Sequence, residues 1–198
     1  FTVTIQMDAT RDQTRRAMLD FSRSLREPGS IGLTYFAGHG LQVGGVNYLV
    51  PIDADIRSED EVRLQAIDMG EYLRTLDAVG SAGGTNIVIL DACRNNPFAR
   101  GWRSVSRGLA FVDAPRGSLI AFATAPGDVA ADGSGDNSPY AQGLSQAILT
   151  PCLSIEQAFK FTRAFVEQAT ASSGKPQVPW ESTSLKGEFH FMPRCPTG

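Results

Sequence analysis

Three short, nearly unbroken apolar and β-branched runs constrain this chain more than any other feature: residues 31–37, 86–92 and 118–124. None alternates with polar residues as a strand with one wet face would, so each reads as a strand buried on both faces. Segments with helical spacing lie around them. Thr10 and Gln13 form a capping-box pattern ahead of Ala17, Met18, Phe21 and Leu25, and Pro28-Gly29 ends that helix. Asp68 and Glu71 open a second helix, with a stripe of Tyr72, Leu73, Leu76 and Val79 before Gly83-Gly84. Ser138-Pro139 supplies an N-cap and a proline at N1 for a helix along Tyr140, Leu144 and Ile148. Ser154 and Gln157 cap a last helix, with Ala158, Phe161 and Phe165 expected inward. Strands alternating with helices predict an α/β fold: a mostly parallel, doubly wound sheet with helices on both faces. At 198 residues the chain is long enough for one such domain, and no internal repeat divides it.

Weaker signals fill the remainder. Phe1, Val3 and Ile5 alternate with polar residues, which predicts a half-buried strand over 1–6. Residues 41–50 read as a hairpin turning at Gly44-Gly45, and 188–192 as an edge strand that includes His190. Residues 94–117 are rich in Arg, Gly and Ser without periodicity, a loop long enough to suggest a functional segment. Another Gly/Asp/Ser loop covers 126–137, while Trp102 and Trp180 read as packing or loop residues. A net charge of −3 gives no electrostatic reason to bind nucleic acid or an anionic membrane, and no run approaches the ~18 apolar residues of a membrane span. With His39 and His190 as the only histidines and no cysteines at ligand spacing, a structural zinc site is not expected. No signal peptide is visible, but the chain opens abruptly at Phe1, which points to a true N-terminus upstream.

Chemistry enters where two of the buried runs end. Active sites of open parallel sheets gather outside the carboxyl ends of the strands. His39 follows the first run and Cys93 the second, 54 residues apart. A thiol becomes a thiolate near neutral pH when a base or a positive neighbour stands beside it, and a histidine serves. Taken alone, a cysteine closing a buried strand is more often structural, and a histidine in a turn is often only a turn residue. The paired placement favours catalysis.

The segments YFAGHG (35–40) and ILDACRNNPF (89–98) resemble the two catalytic motifs of bacterial caspase-like peptidases of the metacaspase and orthocaspase type, in the caspase clan, peptidase family C14. The resemblance extends through NYLVPIDA (47–54), AFATAPG (121–127), NSPYAQGL (137–144) and QVPWESTSLKGEF (177–189), covering nearly the whole chain. It implies a caspase-like three-layer sandwich over 1–198 and a cysteine endopeptidase acting on peptide or protein substrates. Cys93 would attack the scissile carbonyl, His39 would protonate the leaving amine, and the backbone N–H groups of Gly40 and Cys93 would form the oxyanion hole. Asp91 stands where aspartate-specific caspases carry glutamine, and Asp132 stands where they carry an arginine that binds an acidic P1 side chain. Two such changes toward negative charge predict cleavage after Arg or Lys. The 94–117 loop carries Arg100, Arg103 and Arg107 as candidate self-processing sites.

Two departures from that pattern matter. Ala37 occupies a position where metacaspases often carry serine. The first strand and first helix of the family fold precede Phe1, so the strand that would lie between 1–6 and 31–37 is expected from elsewhere: the chain's own N-terminal segment, separate or missing here. The competing reading is a catalytically silent caspase-like scaffold. A serine or metal-dependent hydrolase is disfavoured because no G-x-S-x-G, H-E-x-x-H or phosphate-binding glycine loop occurs. No cofactor is expected, and calcium activation, known in some metacaspases, is left undecided.

Cys152 lies in a short turn and Cys195 in a Pro-flanked tail, neither in an apolar periodic run. Paired, they would close a loop of roughly 40 residues, for about 3–4 kcal/mol in the chain-entropy model. Such a bridge predicts a periplasmic or secreted protein; free thiols would suit the cytoplasm.

Overall fold

The runs at 86–92 and 118–124 become interior strands of a six-stranded sheet. The computed structural model describes residues 1–93, 108–128, 130–131, 133 and 135–192. Its elements in chain order are α1 (Arg11–Ser24), β1 (Ile31–Val43), β2 (Val46–Val50), α2 (Glu59–Gln65), β3 (Ile67–Asp68), α3 (Met69–Ser81), β4 (Thr85–Cys93), β5 (Ser118–Phe122), α4 (Pro139–Leu149), α5 (Ile155–Ala169) and β6 (Trp180–Thr183). The strand order is β3-β2-β1-β4-β5-β6. Strands β1, β4 and β5 run parallel, while β2, β3 and β6 add antiparallel margins, so the sheet is mixed.

Alternation along each interior strand feeds two cores. Val88, Leu90 and Ala92 of β4, with Ile120 and Phe122 of β5, pack against Leu73 and Leu76 of α3 and against Met18 and Phe21 of α1. On the other face, Ile87, Ile89, Leu119 and Ala121 meet Tyr140 and Leu144 of α4 and Ile155, Phe159 and Val166 of α5. The result is the expected three-layer α/β sandwich. The two helices on the second face approach closely: a Cβ at Gly143 would come within 2.8 Å of the Phe165 ring.

Helix starts follow their caps. Thr10 and Ser154 form capping boxes with Gln13 and Gln157, and Ser138 accepts from the Ala141 N–H ahead of Pro139. Asp68 caps α3 through Gly70 and Glu71. Helix α2 was not expected; Ser58 and Glu61 do form a capping box, but its seven residues bury only Val62, too little for an apolar period to show.

Several expectations need correcting. The 31–37 run forms a strand but is not buried on both faces: Ile31, Tyr35 and Ala37 are exposed, because this stretch of β1 has a described strand on one side only, β4. Residues 1–6 form no strand, and Phe1, Val3 and Ile5 are more than 70% exposed. Alternation specifies a face but supplies no neighbour, and no described strand lies alongside this segment. The 188–192 tail makes a single bridge, His190 to Ser154, and the sheet edge is instead β6, where Trp180 pairs with Phe122. Along α5 the buried stripe is Ile155, Ala158, Phe159, Thr162 and Val166, which turns Phe161 outward. Of the 94–117 loop, residues 94–107 lie outside the described residues. Residues 108–117 are fastened: Leu109 is buried, and Asn47 brackets Ala110 by donating to its carbonyl and accepting from its N–H.

Candidate active site

Strand β1 does not stop before His39 as the sequence suggested; it continues through it into the hairpin with β2. Gly38 has φ +156°, which side-chain-bearing residues rarely adopt, and a Cβ there would sit 3.0 Å from the Phe36 ring. Gly40 is required by packing: its Cβ would lie 3.1 Å from that of Ala92 and 3.2 Å from Leu109 Cδ2. Through this passage the parallel ladder pairs Tyr35 with Ile89, Ala37 with Asp91 and His39 with Cys93. Register partners on adjacent strands lie about 5 Å apart. The two motif residues are thus side by side along the backbone, with Cys93 the last residue of β4 and His39 exposed.

Period-2 alternation puts Tyr35, Ala37 and His39 on one face of β1. With Ile89 and Asp91 they line an open groove of about 820 Å³, which is also lined by Asp136–Ser138 and by α4 along its length, from Ala141 to Ile148. The sequence reading did not single out Asp136, an exposed second carboxylate lining this groove.

Asp91 is 6% exposed, and a carboxylate so enclosed needs donors. Among the described residues it has two: the Tyr35 hydroxyl donates to Oδ2 at 2.7 Å and the Ser138 hydroxyl to the same oxygen at 2.5 Å. Ser138 Oγ also accepts from the Ala141 N–H at 2.9 Å as the cap of α4. Its lone pair serves the helix and its proton serves Asp91. Burial, the Asp91 charge and their hydrogen bond push the Tyr35 phenol well above its ordinary range, so it remains a donor. Tyr140, fully buried, is pushed up as well, chiefly by burial and then by the Asp91 charge. Its hydroxyl has no partner among the described residues. Tyr35 had read only as part of a buried strand and Ser138 only as a cap. Tyr35 reaches Asp91 through the β1–β4 pairing, and Ser138 through the packing of the start of α4 beside β4.

The loop after β5 is tied down from behind. Gln177, buried, donates to the Ala123 carbonyl at 2.6 Å and accepts from the Ala131 N–H at 2.8 Å, and Lys175 pairs with Asp128. Asp132, in that loop, lies outside the described residues, as do Arg100, Arg103, Arg107 and Cys195. Cys152 is disulfide-bonded. Among the described residues no group of three or more His, Cys, Asp or Glu is placed to hold a metal ion.

A mixed sheet whose parallel strands β1 and β4 hold His39 and Cys93 as register neighbours, beside a groove with a buried carboxylate, defines a candidate thiol hydrolase site. Residues 1–190 match the caspase domain, and the chain belongs to the caspase domain family of peptidases. It is also similar to human mucosa-associated lymphoid tissue lymphoma translocation protein 1, 34% identical over 96 residues that make up 48% of this chain and 11% of that protein.

Proposed function

We propose that this protein is a cysteine endopeptidase that cleaves after Arg or Lys through a Cys93–His39 dyad. The observation that carries the reading is the register match of His39 with Cys93 next to a groove floored by Asp91. In this mechanism the Cys93 thiolate attacks the scissile carbonyl, His39 protonates the departing amine, and water then releases the acyl group. The N–H groups of Gly40 and Cys93 stabilise the developing oxyanion. Asp91, with Asp136 in the same groove and Asp132 as a further candidate, favours a cationic P1 side chain.

Two structural features support further parts of this reading. Among the described residues, 31–38 of β1 pair only with β4, while β2 takes up the other edge from His39 onward. A strand laid on that edge along 31–38, from an N-terminal segment of this protein, would extend the groove wall. The Cys152 N–H donates to the Met192 carbonyl at 3.0 Å, so the tail runs past the disulfide-bonded turn three residues before Cys195. That favours a Cys152–Cys195 bridge and an oxidising compartment, periplasmic or extracellular. Self-processing after Arg100, Arg103 or Arg107 belongs to the same proposal.

A P1 profile of the purified protein, with Cys93→Ala as control, tests the activity. Cleavage after Arg and Lys that vanishes in the control is expected, and Asp91→Asn should lower kcat/KM for basic P1 by at least about a hundredfold. Efficient cleavage after aspartate, or no Cys93-dependent cleavage, would refute it.

A further inference from the structure

The hydrogen bonding of Asp91 is lopsided. Oδ2 receives both hydroxyls, from Tyr35 at 2.7 Å and Ser138 at 2.5 Å, while Oδ1 accepts from no described residue. A carboxylate oxygen offers about two in-plane lone pairs, so two donors fill Oδ2. Neither donor is free to leave cheaply. Ser138 is held by its cap bond to Ala141, and its only proton has no other partner. Tyr35 comes from the neighbouring strand and lines the groove with Asp91.

We propose that Tyr35 and Ser138 are specificity-determining positioning residues, which fill Oδ2 of Asp91 and present Oδ1 alone to the cationic side chain in the groove. The inference rests on the reading of Asp91 as the floor of a pocket for basic residues. A guanidinium gains most from a carboxylate when it can take both oxygens in a fork, whereas an ammonium needs only one. With one oxygen on offer, Arg loses its geometric advantage and Lys competes on near-equal terms. The two hydroxyls therefore act through Asp91 on the choice between the two cations, without touching the reacting atoms.

Binding can be measured without turnover. Acetyl-arginine amide and acetyl-lysine amide are titrated into the Cys93→Ala protein and followed by NMR, alone and with Tyr35→Phe, Ser138→Ala or Asp91→Asn added. Tyr35→Phe frees a lone pair of Oδ2, and the preference for the arginine probe over the lysine probe should rise about tenfold. Ser138→Ala should move the preference in the same direction, with its melting temperature recorded because α4 loses its cap. A general loosening of the groove would weaken both probes alike and leave the preference unmoved. If Asp91→Asn abolishes binding of both probes but Tyr35→Phe leaves the preference unchanged, the inference is overturned and the pocket reading stands. If neither probe binds, or Asp91→Asn changes nothing, the pocket reading falls and takes the inference with it.

Discussion

Residues 1–6 and strand β4 both read as strands in the sequence, yet one lies in solvent and the other at the centre of the molecule. Phe1, Val3 and Ile5 are 77%, 74% and 71% exposed, whereas Ile87, Val88 and Ile89 are 0% exposed. Backbone propensity does not separate them; neighbours do. Strand β4 has β1 on one side, β5 on the other and helices above and below. The N-terminal segment has no described strand beside it, and residues 31–38 of β1 have a described strand on one side only. A strand is stabilised by what pairs with it and covers it, so a strand pattern without a partner can be left in solvent.

The contrast can be broken or sharpened by experiment. The largest effect is expected at the centre: Ile120→Ala should cost about 2–5 kcal/mol in denaturant unfolding, because a fully buried side chain leaves a cavity between β5 and α3. A loss under about 1 kcal/mol would mean that the centre is no better packed than the margin.

An intermediate effect is expected from alkali. The Tyr72 phenol, buried between α3 and β1 and bonded to Thr34 at 2.5 Å, is pushed up to about 12 by burial. Its pKa is raised in the folded state, so its contribution is complete below the unfolded value of about 10. Between pH 10 and 12 the unfolded chain releases a proton that the folded protein keeps, and stability falls by on the order of 2 kcal/mol. Tyr72→Phe should flatten that part of the profile; an unchanged alkaline limb would place the loss elsewhere.

The smallest effect is expected at the margin. Ile5→Ser should change unfolding free energy by less than about 0.5 kcal/mol, since that side chain is 71% exposed. A loss comparable to that of Ile120→Ala would show that the segment is paired in solution.

Much of the site was legible along the chain because it depends on order and period. His39 and Cys93 close two apolar runs, and equal progress along parallel strands makes them neighbours. The caps at Thr10, Asp68, Ser138 and Ser154 are local hydrogen bonds between residues a few positions apart, and each forms. The Phe161 position failed for a local reason too: Phe161 is apolar but lies off the arc of Ile155, Ala158, Thr162 and Val166, and the packing partner selects the arc.

By itself the sequence determined the alternation of strands and helices, the buried interior strands at 86–92 and 118–124, and the two residues that close the first and second apolar runs. These follow from periodicity and short-range bonding, which a linear chain displays directly. Tertiary structure alone decided that Tyr35 and Ser138 share one oxygen of Asp91, that Asp136 lines the same groove, and that the 1–6 pattern goes unpaired. Those outcomes depend on distances between residues dozens of positions apart, which are set only when the helices cross over the sheet and each strand finds, or lacks, a neighbour.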